Sequence, residues 1–235
     1  MEFLPIGHIE SCFKEKFGTP RQPGLVPSAP AQLILHPDRC PEGILSGLDD
    51  FSHLWIIFVF HLNSNKNVKG KIAPPRLNGE RVGVFASRSP LRPNPIGLSL
   101  AKIEKVCEDK IILSGVDIVD QTPVLDIKPY LPETDAPLKA QAGWTRVIRP
   151  KQWPVQFGTE AQAQLERLQT LNPSVDWQSL ITETIQQDPR PRIYRNTHSD
   201  ESRYKQDFGV QLFDINVRFR LYNNEWHVLS ISGMR

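Results

Sequence analysis

The chain is poor in several residues and patterns, and each shortage excludes something. It has three cysteines, Cys12, Cys40 and Cys107, widely spaced and with no Cys-x-x-Cys pair. A disulfide framework and a thiolate metal knot are therefore not expected, and reduced thiols in a cytoplasmic protein are. Long apolar runs are missing: the longest, 54–60, has seven residues, whereas a membrane helix takes about 20. Met1-Glu2-Phe3-Leu4-Pro5 lacks a basic stretch leading into an apolar core, so neither a secretory signal nor a membrane partner is expected. There is no Gly-x-Gly-x-x-Gly and no Gly-x-x-x-x-Gly-Lys, so neither a Rossmann cofactor site nor a phosphate loop is supported. A charge excess is also missing: 28 Lys and Arg against 26 Asp and Glu leave +2, which excludes a polycation. The charge is uneven, however. Residues 62–96 carry seven bases (Lys66, Lys69, Lys71, Arg76, Arg81, Arg88, Arg92) against Glu80 alone, a stretch able to attract phosphate backbones, or simply a solvated loop.

Proline is what the chain has in plenty, 21 of 235 residues against a usual share of about 5%. Fixed turns and short strands are expected where prolines cluster. The pattern gives strands near 6–9, 32–35, 54–60, 82–86, 96–106, 110–118 and 124–130, with one helical turn in 41–48 and a turn at Asn78-Gly79. Short strands with turn signals between them read as an all-β barrel or sandwich. Residues 54–60 are apolar at every position, which fits a strand buried on both faces, or one lining a barrel and a subunit contact. Past Trp144 the composition shifts, with Pro150 and Pro154 marking a linker. A helix from Thr159, with Thr159 and Gln162 as a capping box, turns Ala161, Leu165, Leu168 and Leu171 to one face. A second helix carries Trp177, Leu180, Ile181 and Ile185, and ends at Asp188-Pro189-Arg190-Pro191-Arg192. Strands at 208–222 and 225–231 follow, hinged at Asn223-Asn224. The expected plan is an N-terminal β-barrel, 1–145, and a small α+β domain, 146–235.

The stretch that organises the chain is Phe85-Ala86-Ser87-Arg88-Ser89-Pro90-Leu91-Arg92-Pro93-Asn94-Pro95-Ile96-Gly97-Leu98-Ser99. Pro90, Pro93 and Pro95 exclude helix and stiffen the backbone around Arg88, Arg92 and Asn94, a pre-set cluster of donors suited to a planar or anionic ligand. This stretch resembles the signature of the TsaA/TrmO family. Further matches run in the same order: Pro20-Arg21-Gln22-Pro23-Gly24-Leu25-Val26-Pro27, Phe51-Ser52-His53-Leu54-Trp55, Phe58-Val59-Phe60-His61, Pro74-Pro75-Arg76-Leu77 and Asp126-Ile127-Lys128-Pro129-Tyr130-Leu131-Pro132. The resemblance implies a barrel that binds S-adenosyl-L-methionine, forms a homodimer, and methylates tRNA at N6 of a threonylcarbamoyladenosine beside the anticodon. It implies cofactor contacts from Pro23, Gly24 and Leu25, from Leu62 and Asn63, from Asp120, Gln121 and Thr122, and from Arg92 and Leu100. Gln121 stands where the family usually has glycine, Ser87 replaces a more usual threonine, and Ile72-Ala73 stand where an arginine is common.

Asp126, Lys128 and Tyr130 alternate along one strand, so they share a face, with Leu125, Ile127 and Leu131 on the other. They could bind or deprotonate a substrate, with Asp126 or Tyr130 as base and Lys128 and Asn94 orienting the acceptor; the plainer alternative is an Asp126–Lys128 ion pair on a barrel rim. His53 and His61 read as hydrogen-bonded structural residues rather than ligands of a metal. Lys205, Arg218 and Arg220, with Trp226, either touch RNA or mark a solvated sheet face. Two other functions remain open at this point: a non-catalytic barrel that binds tRNA or an adenine nucleotide, and a methyltransferase of small molecules.

Overall fold

The computed structural model describes residues 2–63, 68–77, 79–146, 152–191, 194 and 207–233. Lys66, Asn78, Pro150, Arg192 and Lys205 lie outside them. In chain order the strands are β1 (Gly7–Ser11), β2 (Pro30–Leu35), β3 (His53–Val59), β4 (Lys71–Ile72), β5 (Val82–Gly83), β6 (Ile96–Val106), β7 (Lys110–Ser114), β8 (Thr122–Pro129), β9 (Val155–Phe157), β10 (Asp207–Leu212), β11 (Ile215–Tyr222) and β12 (Glu225–Ser232). The α-helices are α1 (Pro132–Asp135), α2 (Thr159–Leu171) and α3 (Trp177–Gln186). Contacts divide the chain into two compact units, neither continuous in sequence. One comprises Met1–Glu10, Gln32–Leu113 and Gln121–Pro150; the other comprises Ser11–Ala31, Ser114–Asp120 and Lys151–Arg235.

A closed barrel runs in the order β1-β2-β7-β6-β3-β8. Closure removes the exposed edges that an open sheet of these short strands would present. β3 shows why an unbroken apolar run fits here. Leu54, Ile56 and Phe58 point inward and are buried, while Trp55, Ile57 and Val59 point outward and are half-buried. Cross-strand from them on β6 stand Leu100, Leu98 and Ile96, so the outer wall is apolar as well. Gly97 is required inside: a Cβ there would lie 2.2 Å from Cζ of Phe58, whose ring packs over it. β8 carries a bulge, because Ile57 pairs with Asp126 and Phe58 with Val124. Leu125 is the extra residue, which turns Asp126 and Lys128 outward beside Ile57 and Trp55.

In the second unit β10-β11-β12-β9 form a sheet, with α2 and α3 supplying Leu165, Leu168, Leu180 and Ile181 to its core. Phe13, Val26 and Ala29, far away in sequence, join the same core. Arg190 is buried in this unit, its guanidinium carbon 5.1 Å over the Trp226 ring.

Several elements differ from the sequence reading. The strand expected over 82–86 stops at Gly83, and Val84–Ala86 form a 3-10 turn. Both the amide and the hydroxyl of Ser87 donate to the carbonyl of Val84, replacing ladder bonds with a local turn. The strand over 110–118 ends at Ser114, where Gly115 takes φ +71°. Residues 41–48 make successive hydrogen-bonded turns, Ile44 to Pro41, Ser46 to Gly43 and Leu48 to Leu45, and the 3-10 helix begins only at Leu48. No capping box forms: Gly158 is the N-cap of α2 and Gln162 reaches Glu166 instead. Leu171, in the last turn, is exposed. Residues 208–222 are two strands, β10 and β11, split where Phe213 takes φ 50°. Asn223 and Asn224 make the expected hairpin turn, at φ 50° and 60°, the left-handed pair that asparagine tolerates.

Candidate active site

The proline loop is built as a rigid object. Ser87 and Ser89 act as relays, their hydroxyls accepting from the amides of Ser89 (3.3 Å) and Leu91 (3.2 Å). Arg92 Nη1 donates to the carbonyls of Ser87 and Ser89, each at 3.3 Å, and the guanidinium carbon stands 6.0 Å from the centre of the exposed Phe85 ring. Trp144 Nε1 donates to the carbonyl of Ala86 at 2.8 Å. The Asn63 side-chain amide donates to the carbonyl of Pro90 at 2.9 Å, and the Phe60 amide to that of Pro95 at 2.8 Å. The loop is thus tied to the end of β3 as well as to itself. Asn94 is exposed on it, its carbonyl accepting from the amide of Ile96.

The end of β3 is also tied to the start of β8, since the Thr122 hydroxyl and His61 Nδ1 are 3.3 Å apart. Leu62, Asn63, Arg92 and Thr122 are therefore joined through one short hydrogen-bonded chain, with Gln121 next to it. Leu62 is exposed and offers an apolar surface beside these polar groups. Leu100 sits elsewhere, on the outer wall of β6 opposite Trp55. Pro23, Gly24, Leu25 and Asp120 belong to the second unit. There Gly24, at φ +73°, donates its amide to the carbonyl of Gly115 at 2.8 Å. The Asp120 carboxylate is engaged by the Ser11 amide and Lys14 Nζ, both at 2.8 Å, and its own amide donates to the carbonyl of Phe13 at 2.8 Å.

Gln121 adopts φ 59° while its amide donates to the carbonyl of Ile9 at 2.7 Å. The turn that glycine would make without strain is made here by a residue with a Cβ, at a cost of roughly 1 kcal/mol. Gln121→Gly is expected to preserve the turn and to change stability by less than about 1 kcal/mol in the favourable direction, read by denaturant unfolding; a clear loss would mean that the Gln121 side chain holds the turn.

Asp126 and Lys128 form the ion pair, Oδ2 to Nζ 2.8 Å, both half-exposed or more, so it adds little stability. Asp126 Oδ1 also accepts the Ile127 amide. The Tyr130 ring meets Trp55 edge-on with centroids 5.8 Å apart and His53 at 6.3 Å. Asp135 accepts from the Leu131 amide and from Trp55 Nε1, which hold its carboxyl below the ordinary aspartate range. Asp126, Lys128 and Tyr130 thus project from the outer wall, and they are not hydrogen-bonded to the proline loop by any contact among the described residues. His53 pairs with the Ser52 hydroxyl at 2.9 Å. Arg218 and Arg220 both pair with Asp207, at 3.0 and 2.7 Å, which lowers the Asp207 pKa through the Arg220 hydrogen bond first. The tie from Trp144 spans 58 residues, and no local pattern announces a hydrogen bond at that separation.

Barrel closure and a proline-stiffened arginine loop define a closed six-stranded barrel unrelated to the Rossmann plan. Family models then identify it: residues 8–136 match the tRNA-methyltransferase O N-terminal domain and residues 150–234 the TrmO C-terminal domain. The chain belongs to the tRNA-methyltransferase O family. An Escherichia coli (strain K12) relative, named tRNA (adenine(37)-N6)-methyltransferase, is 40% identical over 98% of this chain and 97% of its own. A mouse relative of the same name is 56% identical over 57% of this chain, and the match spans 31% of the mouse protein's length. A Pseudomonas aeruginosa relative, named putative S-adenosylmethionine-dependent methyltransferase, is 39% identical over 97% of this chain and 96% of its own. The crystal structure of TrmO from Pseudomonas aeruginosa superimposes with a TM-score of 0.81 at 33% identity, covering 99% of this chain and 98% of that one.

Proposed function

We propose that the protein is an S-adenosyl-L-methionine-dependent tRNA methyltransferase acting at N6 of adenosine 37, with threonylcarbamoyladenosine as the accepting base. The observation that carries this reading is family membership running through both halves of the chain, with the proline loop already shaped by its own hydrogen bonds. Bound S-adenosyl-L-methionine supplies a methyl group activated on a sulfonium. The donor set fits such a ligand in kind. Within the barrel unit, Leu62 gives an apolar surface for the adenine, Thr122 a backbone group and Arg92 a cation for the methionine carboxylate; in the second unit, Gly24 and Leu25 offer backbone groups of their own. The guanidinium has five N–H donors and only Nη1 is held by the loop carbonyls, so its fork keeps donors for an anion.

The accepting nitrogen is attached to a carbonyl, its lone pair is delocalised, and it carries a proton that must leave. The residues of the chain must therefore align it and take or relay that proton. We assign Asn94, on the loop, to orient the acceptor, and Lys128 to meet its carboxylate or carbonyl. Asp126 and Tyr130 are the candidates to receive the proton. The outer wall that carries these last three is apolar at Trp55, Ile57, Ile96 and Leu98, the last two 39% and 51% exposed. A second copy of the chain is the partner we assign to this wall. Leu98→Lys, which leaves the barrel interior untouched, is expected to give one-chain particles in sedimentation where the parent gives pairs; paired particles from the variant would refute this interface.

Methyl transfer is tested with radiolabelled cofactor on tRNA carrying threonylcarbamoyladenosine, on the same tRNA without it, and on small-molecule acceptors. Label on the modified tRNA alone supports the reading. Label on small molecules without tRNA supports the rival methyltransferase, and cofactor binding without any transfer supports a binding module. The tRNA contact has its own test. Lys69 and Lys71 are exposed within the basic stretch, and replacing both with alanine should weaken tRNA binding up to about tenfold and flatten its salt dependence by up to about two charges. Unchanged binding would remove that stretch from the interface.

A further inference from the structure

We propose that Glu183 and Gln187, on and just after α3, are positioning residues for the cofactor segment Pro23–Leu25; this rests on the methyltransferase reading above. Both lie in the same compact unit as that segment. They are four residues apart, in the last turn of α3 and at its C-cap, and so lie on one side of the helix beside the buried Leu180. Glu183 Oε2 accepts from both the amide of Ser28, at 2.9 Å, and its hydroxyl, at 2.5 Å. Gln187 Nε2 donates to the carbonyl of Leu25 at 3.1 Å. These contacts span more than 150 residues of sequence, so they are tertiary choices rather than local turns.

Among the described residues, the other backbone ties of the segment they hold run to Gly115 and Ala29. Gly24 donates to the Gly115 carbonyl, Gly115 donates to the Ala29 carbonyl, and Val26 and Ala29 are buried. On either side of the Gly24 anchor lie Pro23 and Leu25, with φ +73° at Gly24. That backbone has no ladder to define its direction. Gln187 fixes the Leu25 carbonyl, and Glu183 fixes the return of the chain at Ser28. A residue that aims a backbone group at a ligand typically acts through such a partner, and its loss is felt as affinity rather than chemistry. The C-terminal domain thereby takes part in cofactor binding through α3, in addition to any contact with tRNA.

The test compares Glu183→Ala, Glu183→Gln and Gln187→Ala in the full chain. Cofactor affinity is read by calorimetry, kcat and both KM values by methyl transfer, fold by thermal unfolding, and loop order by amide exchange in the ligand-free protein. Losing a charge-assisted anchor should raise the dissociation constant and KM for S-adenosyl-L-methionine about tenfold for Glu183→Ala, and about threefold for Gln187→Ala. kcat at saturating cofactor and KM for tRNA should stay within about twofold. Glu183→Gln keeps an acceptor oxygen for Ser28 and should restore most of the affinity. Amides of Gly24 to Ser28 should exchange faster in the alanine variants. Folded alanine variants with parental affinity and parental exchange would overturn the proposal. Faster exchange in a chain whose parent binds no cofactor would instead uphold the anchoring and refute the methyltransferase reading.

Discussion

Arg190→Met is expected to destabilise the second unit by about 2 kcal/mol, through the lost charge-assisted hydrogen bonds to Asp188 and the lost cation over two rings. The Arg190 side chain is 3% exposed and Asp188 is 23% exposed. Nε and Nη2 of Arg190 meet the two carboxylate oxygens of Asp188 at 2.8 and 2.9 Å, a two-pronged pair that fixes geometry as well as charge. The guanidinium also lies over the Trp226 and Phe208 rings, 5.1 and 6.0 Å from their centres, in a core where Trp226 is fully buried. Methionine can replace the stem but neither the fork nor the cation above the rings. Arg190→Lys should recover little, because an ammonium cannot match both oxygens or stack as a plane. Denaturant unfolding checks the size, and a cycle with Asp188→Asn checks the cause: the double variant should lose clearly less than the sum of the single losses. A loss below about 1 kcal/mol for Arg190→Met would mean that the charge is less dependent on Asp188 than the geometry implies.

The Asp188-Pro189-Arg190-Pro191-Arg192 stretch was legible only as the end of a helix. Its prolines do end α3, but the burial of Arg190 depends on Trp226 and Phe208, which no local pattern connects to it. The same contrast runs through the fold. Barrel strands were legible because alternation and turn residues are local, and β3 was legible even in its ambiguity, since both of its faces are apolar. The second unit's debt to Cys12, Phe13, Val26 and Ala29 was not legible. These residues sit in proline- and glycine-rich sequence that reads as loop, and their burial is decided by a core formed mostly after residue 150. Burial also pushes the Cys12 thiol up to about 12, so it packs as an apolar group and has no thiolate chemistry at neutral pH. At the site, the proline spacing announced a stiff loop and its donors. It did not announce that Arg92 would spend part of its fork on that loop's own carbonyls, or that Asn63 would be bound to Pro90. Gln121 was legible as an oddity, and its φ of 59° places the strain where the sequence pointed.

Arg92→Ala is expected to lower kcat/KM for methyl transfer about 30-fold, roughly 2 kcal/mol at about 1.4 kcal/mol per decade. Two losses combine. The first is structural: the bonds from Nη1 to the Ser87 and Ser89 carbonyls, both 3.3 Å, close the turn that leads into Asn94. At that length each is weak, so the turn should loosen without unfolding, because Asn63, Trp144 and Phe60 still hold its ends. The second is the cation assigned to the cofactor carboxylate. Cofactor affinity should therefore fall more than tRNA affinity, as read by two separate titrations. Arg92→Lys distinguishes the parts. A lysine restores a positive charge but not a fork that can bind two carbonyls and an anion together, so it should recover some cofactor affinity and little of the turnover. A variant whose tRNA affinity falls while its cofactor affinity stays at the parental value would move Arg92 from the cofactor to the nucleic acid, and the Lys69 and Lys71 result would then show whether the whole basic stretch goes with it.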